Sequence, residues 1–449
     1  MSHFQQKLET QHISAFDLIT RLKELTGLVY LHDHNHPVIA FLPNRFLIGQ
    51  SSDIQEFYRE NFNHYSQEMN PTSILEFSTC DNNPVLRNHT NQGFQGGYIG
   101  FFGYDYSANL SVNIKSHPQP SFFLGQYSTF LKLHDQAWYF YSHDKNAEEV
   151  FQDISHLINQ DADIDGLLLN EKCHPRWSKQ QYLNAFNQVQ EYIKAGDCYQ
   201  INLTQEFIAQ ASGSLLSQAE KLWELTHAPY SGYLKVDEFE LLSCSPELFI
   251  EFQNDRQIKT RPIKGTMPRF DDLAADQLSK DKLSQSQKDQ AENVMIVDLL
   301  RNDLSLYAET GSVQTTKLFE IESFNQVHHM VSEITATLKP DIHPMEMLLS
   351  ALPGGSITGA PKIRAMQIIE ELEGAPRGAY CGSLGYFNFD GTGCWNILIR
   401  SIQKYQDQLS MWAGGGITIA SDAEAEYQEC FDKISAILDL INTQQKSKN

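Results

Sequence analysis

Two adjacent strand-like segments near the middle of the chain constrain its fold most strongly. They are GYLKVDEFELLSCS, at residues 232–245, and ELFIEFQ, at residues 247–253. Short runs rich in apolar and aromatic residues are typical of strands, and their close succession predicts a hairpin-rich antiparallel sheet. A helix precedes them, because Ser178 and Gln181 form a capping box and Gly196 can close the C-terminus. The sequence therefore predicts a mixed α and β protein.

The length and composition limit the class of protein. With 449 residues, the chain has room for two cores or for one large interleaved core. A hydrophobic share of 41% is that of a soluble globular protein, and no segment approaches the roughly 20 apolar residues of a membrane span. The start, MSHFQQKLETQHIS, lacks a cationic segment followed by an apolar core, so the cytoplasm is the predicted location.

The cysteines and the net charge exclude further classes. The seven cysteines are odd in number and scattered, and none lies in a C-x-x-C pair, which argues against disulfides and zinc. A formal charge of −22 repels phosphate backbones and argues against nucleic-acid binding. A site for an anionic ligand must therefore supply positive charge locally, from a metal or from a few lysines and arginines.

Composition suggests a division of the chain near His174–Pro175. Residues 1–174 show a helix near Phe16–Leu25, short extended runs, and the polar stretch NQDADIDG. We predict an N-terminal region over residues 1–174, a catalytic region over residues 175–441, and a polar tail over residues 442–449.

Two predicted helices carry carboxylates one turn apart. In KDQAENVMIVDLLRND, Asp289 and Glu292 share a face. In SDAEAEYQECFDKISAILDLI, which Ser421 and Glu424 can cap, Glu426 and Glu429 lie beside an apolar stripe that runs to residue 441. Carboxylates from two helices could meet on a magnesium ion, or both could be solvated acidic faces.

Two glycine-rich stretches could approach a ligand closely. The first, PGGSITGAPK at residues 353–362, has Ala360 where a phosphate-binding loop needs lysine, so a nucleotide triphosphatase is disfavoured. The second is AGGGI at residues 413–417. Consecutive amides in such stretches could bind a carboxylate, or the stretches could be tight turns.

Three further places in the sequence carry open alternatives. Lys264, in TRPIKGTMPR, could be a nucleophile if desolvation made it neutral, or it could sit on an exposed hairpin turn. His328–His329 could be core residues or ligands. Arg400 ends a strand-like run, so it must reach solvent or meet an anion.

Five stretches, taken together, favour the functional alternatives over the structural ones, because in this order they resemble the chorismate-utilising enzymes. They are PIKGT, DLLRND, PGGSITGAPKIRAM, CGSLGYF and AGGGITIASDAEAEYQECFDK. The resemblance covers about residues 180–440. It implies an α+β fold in which two large antiparallel sheets pack face to face with surrounding helices, the N-terminal region contributing strands to the same body. The stretches FQGGYIGFFGYDY and AGDCYQINLTQ are most similar to the members that aminate chorismate at C4, which open the route to 4-aminobenzoate and folate.

The resemblance also implies a reaction. Members that add water to chorismate carry a lysine base where this chain has Gln200, and glutamine cannot accept a proton at neutral pH. Anthranilate synthases carry alanine at the position of Lys264. The resemblance implies that Lys264 attacks C2 of chorismate, that Glu247 protonates the C4 hydroxyl as it leaves, and that ammonia then attacks C4 and releases the lysine.

Further site residues follow from the same resemblance. Magnesium would be held by Glu292 and Glu429, with Glu426 acting through water. His329 matches a histidine near the ring carboxylate, with Ser356 and Thr358 in the neighbouring loop. The remaining matches, which would hold the enolpyruvyl carboxylate, are Tyr386, Arg400, Lys433, Gly415 and Gly416.

A partner subunit is also expected, because no G-x-C-x-G motif of a glutamine amidotransferase nucleophile surrounds any cysteine. A glutamine amidotransferase subunit would then supply the ammonia. Two departures stand out: Leu304-Ser305-Leu306 follows RND, where the family often has glycine and arginine, and VYLHDH, at residues 29–34, replaces the stretch with which anthranilate synthases hold feedback tryptophan. The alternatives are an anthranilate synthase large subunit and a catalytically silent paralogue that binds chorismate.

Overall fold

The protein is an α+β structure, seen here in a computed structural model that describes residues 4–9, 13–33, 36–79, 93–324 and 327–445. The strands are β1 (Phe4–Lys7), β2 (Val29–Leu31), β3 (Val38–Ala40), β4 (Arg45–Gln50), β5 (Asp53–Asn61), β6 (His64–Gln67), β7 (Gly97–Phe102), β8 (Phe122–Tyr127), β9 (Thr129–His134), β10 (Ala137–Ser142), β11 (Leu168–Leu169), β12 (His174–Pro175), β13 (Gln200–Ser212), β14 (Tyr230–Val236), β15 (Phe239–Ser245), β16 (Leu248–Phe252), β17 (Gln257–Arg261), β18 (Ile263–Pro268), β19 (Gln314–Ser323), β20 (Val327–Thr337), β21 (Gly359–Ala360), β22 (Ser383–Asn388), β23 (Gly393–Asn396), β24 (Ser401–Tyr405) and β25 (Gln408–Ile417). The helices are α1 (Ala15–Arg21), α2 (Ile74–Thr79), α3 (Tyr104–Asn109), α4 (Ala147–Ile158), α5 (Lys179–Ala195), α6 (Ala219–Thr226), α7 (Leu273–Ser284), α8 (Gln287–Ser305), α9 (Pro344–Ala351), α10 (Lys362–Glu373), α11 (Ala423–Asp432) and α12 (Ser435–Asn442).

Two large antiparallel sheets form the body of the protein. In the described part of the chain, the first sheet has 13 strands, ordered β1-β10-β9-β3-β2-β14-β15-β24-β25-β13-β11 with β12 and β21 also paired to β13. The second has 12 strands, ordered β18-β20-β17-β16-β23-β22-β7-β8-β4-β5-β6 with β19 also paired to β20. The predicted fold of two large antiparallel sheets with surrounding helices is confirmed.

Strands from both sides of residue 174 enter each sheet. In the first sheet β2 pairs with β14, and in the second β7 pairs with β22. His174–Pro175 themselves form β12, which pairs with β13. The N-terminal and C-terminal regions therefore share a common pair of sheets, and of the polar tail only residues 442–445 are described.

The apolar core has three parts. One lies between the two sheets and combines residues of the first sheet, such as Leu234 and Leu241, with residues of the second, such as Phe101 and Leu384. A second packs α1, α4, α6 and α12 against the first sheet, and a third packs α5, α8, α9 and α10 around the remaining surfaces. Burial of these three layers is the main force that holds the sheets face to face.

Several local predictions are confirmed. Ser178 and Gln181 form the capping box of α5, and Gly196 ends that helix with a left-handed backbone (φ 82°). The segment 232–245 folds into the hairpin of β14 and β15. The predicted helix near Phe16 is α1, which begins at Ala15 and ends at Arg21.

Two local predictions are wrong. The segment 421–441 is not one helix, because α11 ends at Asp432 and α12 begins at Ser435, and Asp422 caps α11 instead of Ser421. Ser421 instead donates to Glu426 at 2.8 Å. The AGGGI stretch is neither a turn nor an amide nest, because Gly414–Gly416 lie within the regular strand β25.

Two further expectations concern cysteines and membranes. The six described cysteines are free and buried, while Cys80 lies outside the described residues. Within the ranges that the structure describes, no helix is both long and apolar enough to cross a bilayer.

Candidate active site

Lys264 and Glu247 come together at the edge of the second sheet. Lys264 lies on β18 opposite Met330 of β20, and not on a hairpin turn. Glu247 precedes β16 and is 7% exposed. The backbone N–H of Ile263 donates to Glu247 Oε1 at 3.4 Å, which ties the two strands together at this point. The charge of Lys264 acts on this carboxyl group, so the two side chains lie near each other.

A bulge after Lys264 shapes this edge. Gly265 is the extra residue between the pairs Lys264–Met330 and Thr266–His329, and its φ is 70°. A Cβ at Gly265 would stand 2.7 Å from Leu283 and 2.9 Å from Asp289, so the close approach of α7 and α8 also requires glycine. The glycine thus lets the strand change register beside the lysine.

Burial makes Glu247 a weaker acid than an ordinary glutamate. Burial raises the pKa of Glu247 to about 7, against partial opposition from Lys264, the Ile263 N–H, Lys433 and Arg400. A carboxyl group with this pKa is partly protonated at neutral pH. Glu247 is therefore able to give a proton to a leaving group.

His329 and Arg400 form a second part of the site. His329 is 5% exposed, and its Nδ1 is 2.9 Å from the Thr266 hydroxyl. Burial and the nearby Arg400 lower the pKa of His329 to about 4, although a hydrogen bond to the backbone of Gly265 opposes the shift. The ring is neutral at pH 7. Burial also lowers the pKa of Arg400, while Cys244 and Glu247 oppose that effect.

The adjacent His328 faces the other way. It is 3.0 Å from Asp276 and 2.8 Å from Ser323, so its ring nitrogens are satisfied within the fold. Of the two histidines, the structure brings only His329 toward Arg400.

Three carboxylates from α8 and α11 gather beside Lys264. They are Glu292, Glu426 and Glu429, and Lys264 is close enough to Glu292 and Glu429 to affect the pKa of both. Burial raises the pKa of Glu292 and of Glu426. Burial alone would also raise the pKa of Glu429, but Lys433, 2.6 Å away, and other lysines hold it below its usual value.

Lysines occupy the space between these carboxylates. Lys288 Nζ is 3.9 Å from Glu292 Oε1 and 3.8 Å from Glu426 Oε1. Lys433 pairs with Glu429 and donates to the Gly414 carbonyl at 2.7 Å. Among the residues that the structure describes, no three His, Cys, Asp or Glu side chains form a preassembled metal cage.

The donor set nevertheless fits a hard divalent cation. The oxygen-only ligands are of the kind that magnesium prefers. Glu426 is 2% exposed, and its Oε2 is buried without a hydrogen-bond partner among the described residues. A buried carboxylate oxygen without a partner is costly, and a cation or its water would satisfy it. Glu292, Glu426 and Glu429 are therefore able to hold such an ion once Lys288 moves aside.

The glycines of β25 make room for these groups. A Cβ on Gly415 would stand 2.7 Å from Glu426 Oε2 and 3.1 Å from Glu429 Oε1. A Cβ on Gly416 would stand 2.4 Å from Nε2 of Gln200, whose Oε1 is buried without a described partner. Any side chain at these two positions would displace the groups that line the site.

The loop with Ser356 and Thr358 packs against α8 and β13. A Cβ on Gly355 would be 3.4 Å from Leu299, and the Asn202 N–H donates to the Thr358 carbonyl at 2.8 Å. The Thr358 hydroxyl donates to the Gly354 carbonyl at 2.9 Å. Ser356 is 8% exposed and stays a predicted substrate contact.

Tyr386 lies apart from the other residues predicted to hold the enolpyruvyl carboxylate. Its hydroxyl donates to Asp33 Oδ2 at 2.8 Å. It lines a cavity of about 20 Å³ between the sheets, to which Leu31 and Asp33 of the VYLHDH segment also contribute. His34 of that segment lies outside the described residues. The hydroxyl of Tyr386 is therefore engaged with a buried carboxylate and not with Arg400 or Lys433.

Leu304-Ser305-Leu306, which departs from the family's usual sequence after RND, lies at the end of α8. Leu304 is 1% exposed and belongs to the core, whereas Leu306 is 60% exposed. The Ser305 hydroxyl donates back to the Asn302 carbonyl at 2.8 Å. These residues complete a helix end and make no contact with Lys264 or Glu247 in the described hydrogen bonds and ion pairs.

Sequence reasoning did not single out two residues that the structure brings to the site. Lys288 lies four positions before Glu292, and that helical spacing was a usable signal. Thr266 gave no such signal, because its contact with His329 depends on the pairing of β18 with β20 and on the bulge at Gly265.

Comparisons with known proteins identify related sequences. The sequence model of the chorismate binding enzymes matches residues 34–439. Aminodeoxychorismate synthase component 1 of Salmonella typhimurium is 42% identical over 362 residues, which cover 77% of this chain and 76% of that protein. The protein of the same name from Klebsiella aerogenes is 38% identical over 420 residues, covering 91% and 90% of the two chains.

A solved structure supports the same family assignment. Anthranilate synthase component I from Streptococcus pneumoniae superposes with a TM-score of 0.76 at 26% identity, covering 89% of this chain and 91% of that chain. The family match includes strands of both sheets and every residue assigned to the site. The chain belongs to the chorismate binding enzyme family.

Proposed function

We propose that the chain is the chorismate-aminating subunit of an aminodeoxychorismate synthase, which converts chorismate and ammonia to 4-amino-4-deoxychorismate for 4-aminobenzoate and folate synthesis. Relatives with this name match most of the chain at 38–43% identity. The observation that carries the proposal is the position of Lys264, whose amine faces the buried acid Glu247. An amine beside a proton donor is suited to a displacement in which a hydroxyl group leaves.

The first half of the reaction uses both residues. The neutral amine of Lys264 forms a bond to C2 of the ring, and the ring double bonds shift toward C4. The C4–oxygen bond breaks, and Glu247 gives its proton to the leaving hydroxyl, which departs as water. The lysine nitrogen then gives one proton to the Glu247 carboxylate, so the adduct is a secondary amine.

The second half reverses the shift. Ammonia attacks C4, the double bonds move back, and the bond between C2 and Lys264 breaks as Glu247 returns a proton to the lysine nitrogen. Glu247 then regains a proton from the new ammonium group on C4. The sum is chorismate and ammonia in, aminodeoxychorismate and water out. The enolpyruvyl group stays on the product. Two allylic displacements replace one difficult substitution at C4.

The charged groups of the site suit an anionic substrate. Arg400 and Lys433 both lie close enough to Glu247 to affect its pKa. They would hold the enolpyruvyl carboxylate, together with the backbone at Gly415 and Gly416. The neutral ring of His329 would lie near the ring carboxylate, where it can donate or accept one hydrogen bond.

A magnesium ion fits the same scheme. Glu292 and Glu429 would bind it directly and Glu426 through water. When bound, the ion would offset the negative charge of the ring carboxylate. Gly415 has no side chain and so leaves room for Glu426 and Glu429, the two carboxylates of α11.

The ammonia would come from a partner. The relatives are named component 1, and the described cysteines are buried, without the motif of an amidotransferase nucleophile. Burial raises the pKa of Cys381 to about 12, so its thiol is poorly suited to nucleophilic attack. A glutamine amidotransferase subunit is therefore the proposed second component.

An anthranilate synthase large subunit is the second candidate, favoured by the structural likeness to the Streptococcus pneumoniae protein. Lys264 argues against it, because direct amination at C2 has no use for a nucleophilic lysine there. A catalytically silent chorismate-binding protein is the third candidate.

One experiment separates the three. The purified chain is incubated with chorismate, magnesium and ammonium, and an aminodeoxychorismate lyase is added to half of the sample before mass analysis. We expect a pyruvate-retaining amino product that the lyase converts to 4-aminobenzoate. Anthranilate would establish the second candidate. Unchanged chorismate, both with and without an added glutaminase subunit, would establish the third.

A further inference from the structure

Lys288 places its ammonium group among the carboxylates proposed to hold the metal ion. Its Nζ is 3.9 Å from Glu292 and 3.8 Å from Glu426. It also acts on Glu429, since its charge helps to hold the pKa of that carboxyl group below its usual value. One lysine thus faces all three proposed ligands.

The other two lysines nearby have additional partners. Lys264 also interacts with Glu247, outside the carboxylate cluster. Lys433 is tied to the Gly414 carbonyl at 2.7 Å. The ion-pair partners of Lys288 in the described structure are the two cluster residues Glu292 and Glu426, so its charge serves the cluster alone.

Lys288 is also free to leave. Its side chain is 59% exposed, whereas those of Glu292 and Glu426 are 18% and 3% exposed. A long flexible lysine in the first turn of α8 can swing into solvent at little cost, while the buried carboxylates stay in place. An ion that bound the cluster would need the same carboxylate oxygens that now face the ammonium group.

We propose that Lys288 is a resident counter-cation of the carboxylate cluster: it neutralises the cluster in the absence of the divalent ion and competes with that ion for the same oxygens. The inference rests on the metal ligands assigned under the proposed function. Each exposed charge pair has a modest strength. Two such pairs correspond to roughly a fivefold effect on the dissociation constant of the ion.

Metal binding without substrate tests this inference. Manganese binding to the full chain is followed by the electron paramagnetic resonance signal of free Mn²⁺, with magnesium as competitor and no chorismate present. We expect Lys288→Gln to bind Mn²⁺ about fivefold more tightly than the unmodified protein. Lys288→Arg keeps the charge and should stay within twofold of it. The matched control is Lys282→Gln, which removes the same charge from an exposed position on α7 and should have little effect.

Thermal unfolding in chelator gives a second readout. Without the ammonium group, the carboxylates repel one another in the metal-free protein, so Lys288→Gln should melt at a lower temperature there and gain more on magnesium addition. Unchanged or weaker Mn²⁺ binding by Lys288→Gln would overturn the inference. Glu429→Gln tests the ligand assignment separately: if it leaves binding unchanged, the assignment fails, whatever Lys288→Gln does.

Discussion

Among all charged side chains, Lys264 attracts the carboxylate of Glu247 most strongly, yet burial still raises the pKa of Glu247 to about 7. Lys264 lies on β18, and Glu247 immediately precedes β16 of the same sheet. In the proposed reaction they supply a nucleophile and a proton donor to one substrate ring, and the first predictions follow from this proposal.

Replacing Lys264 with alanine should abolish amination at C4. We expect a loss of about 100-fold or more in aminodeoxychorismate formation, because Lys264 is the proposed nucleophile of the covalent step. Mass-resolved product analysis measures the effect and detects any amination elsewhere on the ring. The control is Lys259→Ala on β17, whose ammonium pairs with Glu251 at 2.6 Å outside the site. An unchanged rate and product for Lys264→Ala would refute the covalent role.

The pH dependence of turnover should report the proton on Glu247. The acid is protonated below its pKa of about 7, so kcat should fall roughly tenfold per pH unit at higher pH. Glu247→Gln should be nearly inactive and should lack this limb. Rate profiles of both proteins at saturating chorismate and magnesium decide the point: a basic limb that survives in Glu247→Gln belongs to another group.

The same group makes a prediction for stability. The pKa of Glu247 is raised from 4.5 to about 7, so the folded protein holds this proton more tightly than the unfolded chain. The wild type should therefore lose about 3 kcal/mol of unfolding free energy between pH 4.5 and pH 8 through this group. Glu247→Gln is neutral throughout and should lack that loss. Urea unfolding at pH 5 and pH 8 measures the difference, and equal pH dependence in both proteins would contradict it.

Adding a methyl group at Gly415 should weaken metal binding. The new Cβ would stand 2.7 Å from Glu426 Oε2, so the carboxylate must move away from its position beside Glu429. We expect roughly a tenfold loss of Mn²⁺ affinity in Gly415→Ala, since displaced ligand groups typically cost one to two orders of magnitude. Gly166→Ala is the control, because no atom lies within 4 Å of its Cβ. Equal affinity in both variants would show that the cluster does not hold the ion.

The hydroxyl of Thr266 should stabilise the folded protein through its contact with the buried ring of His329. Thr266→Val removes the group 2.9 Å from His329 Nδ1 and leaves that nitrogen buried without this partner. We expect a loss of about 1–2 kcal/mol in unfolding free energy. Thr266→Ser keeps the hydroxyl and should recover most of the loss, and an equal loss in Thr266→Ser would show that the hydroxyl does not provide the stabilisation.

Local structure was predicted from the sequence more reliably than contacts between distant segments. The capping box at Ser178 and the hairpin of residues 232–245 depend on neighbouring residues, so spacing alone predicted them. The strand conformation of Gly414–Gly416 was missed, because it depends on pairing with β13, which is distant in the sequence. The break between α11 and α12 was also missed; α11 packs against α5 and β25, whereas α12 packs against α6. Tyr386 was grouped with Arg400 by the family resemblance, and tertiary packing brings its hydroxyl to Asp33.

Residue types and short spacings in the sequence were sufficient to predict the family and the mixed helix and strand content, and they identified the candidate reactive groups. Tertiary structure sets which of these groups meet. Lys264, Glu247 and the carboxylates of α8 and α11 come from four separate segments, and their proximity arises from long-range strand pairing and helix packing. Burial then sets the acidity of Glu247, because desolvation depends on every segment that covers the group and not on its neighbours in the chain.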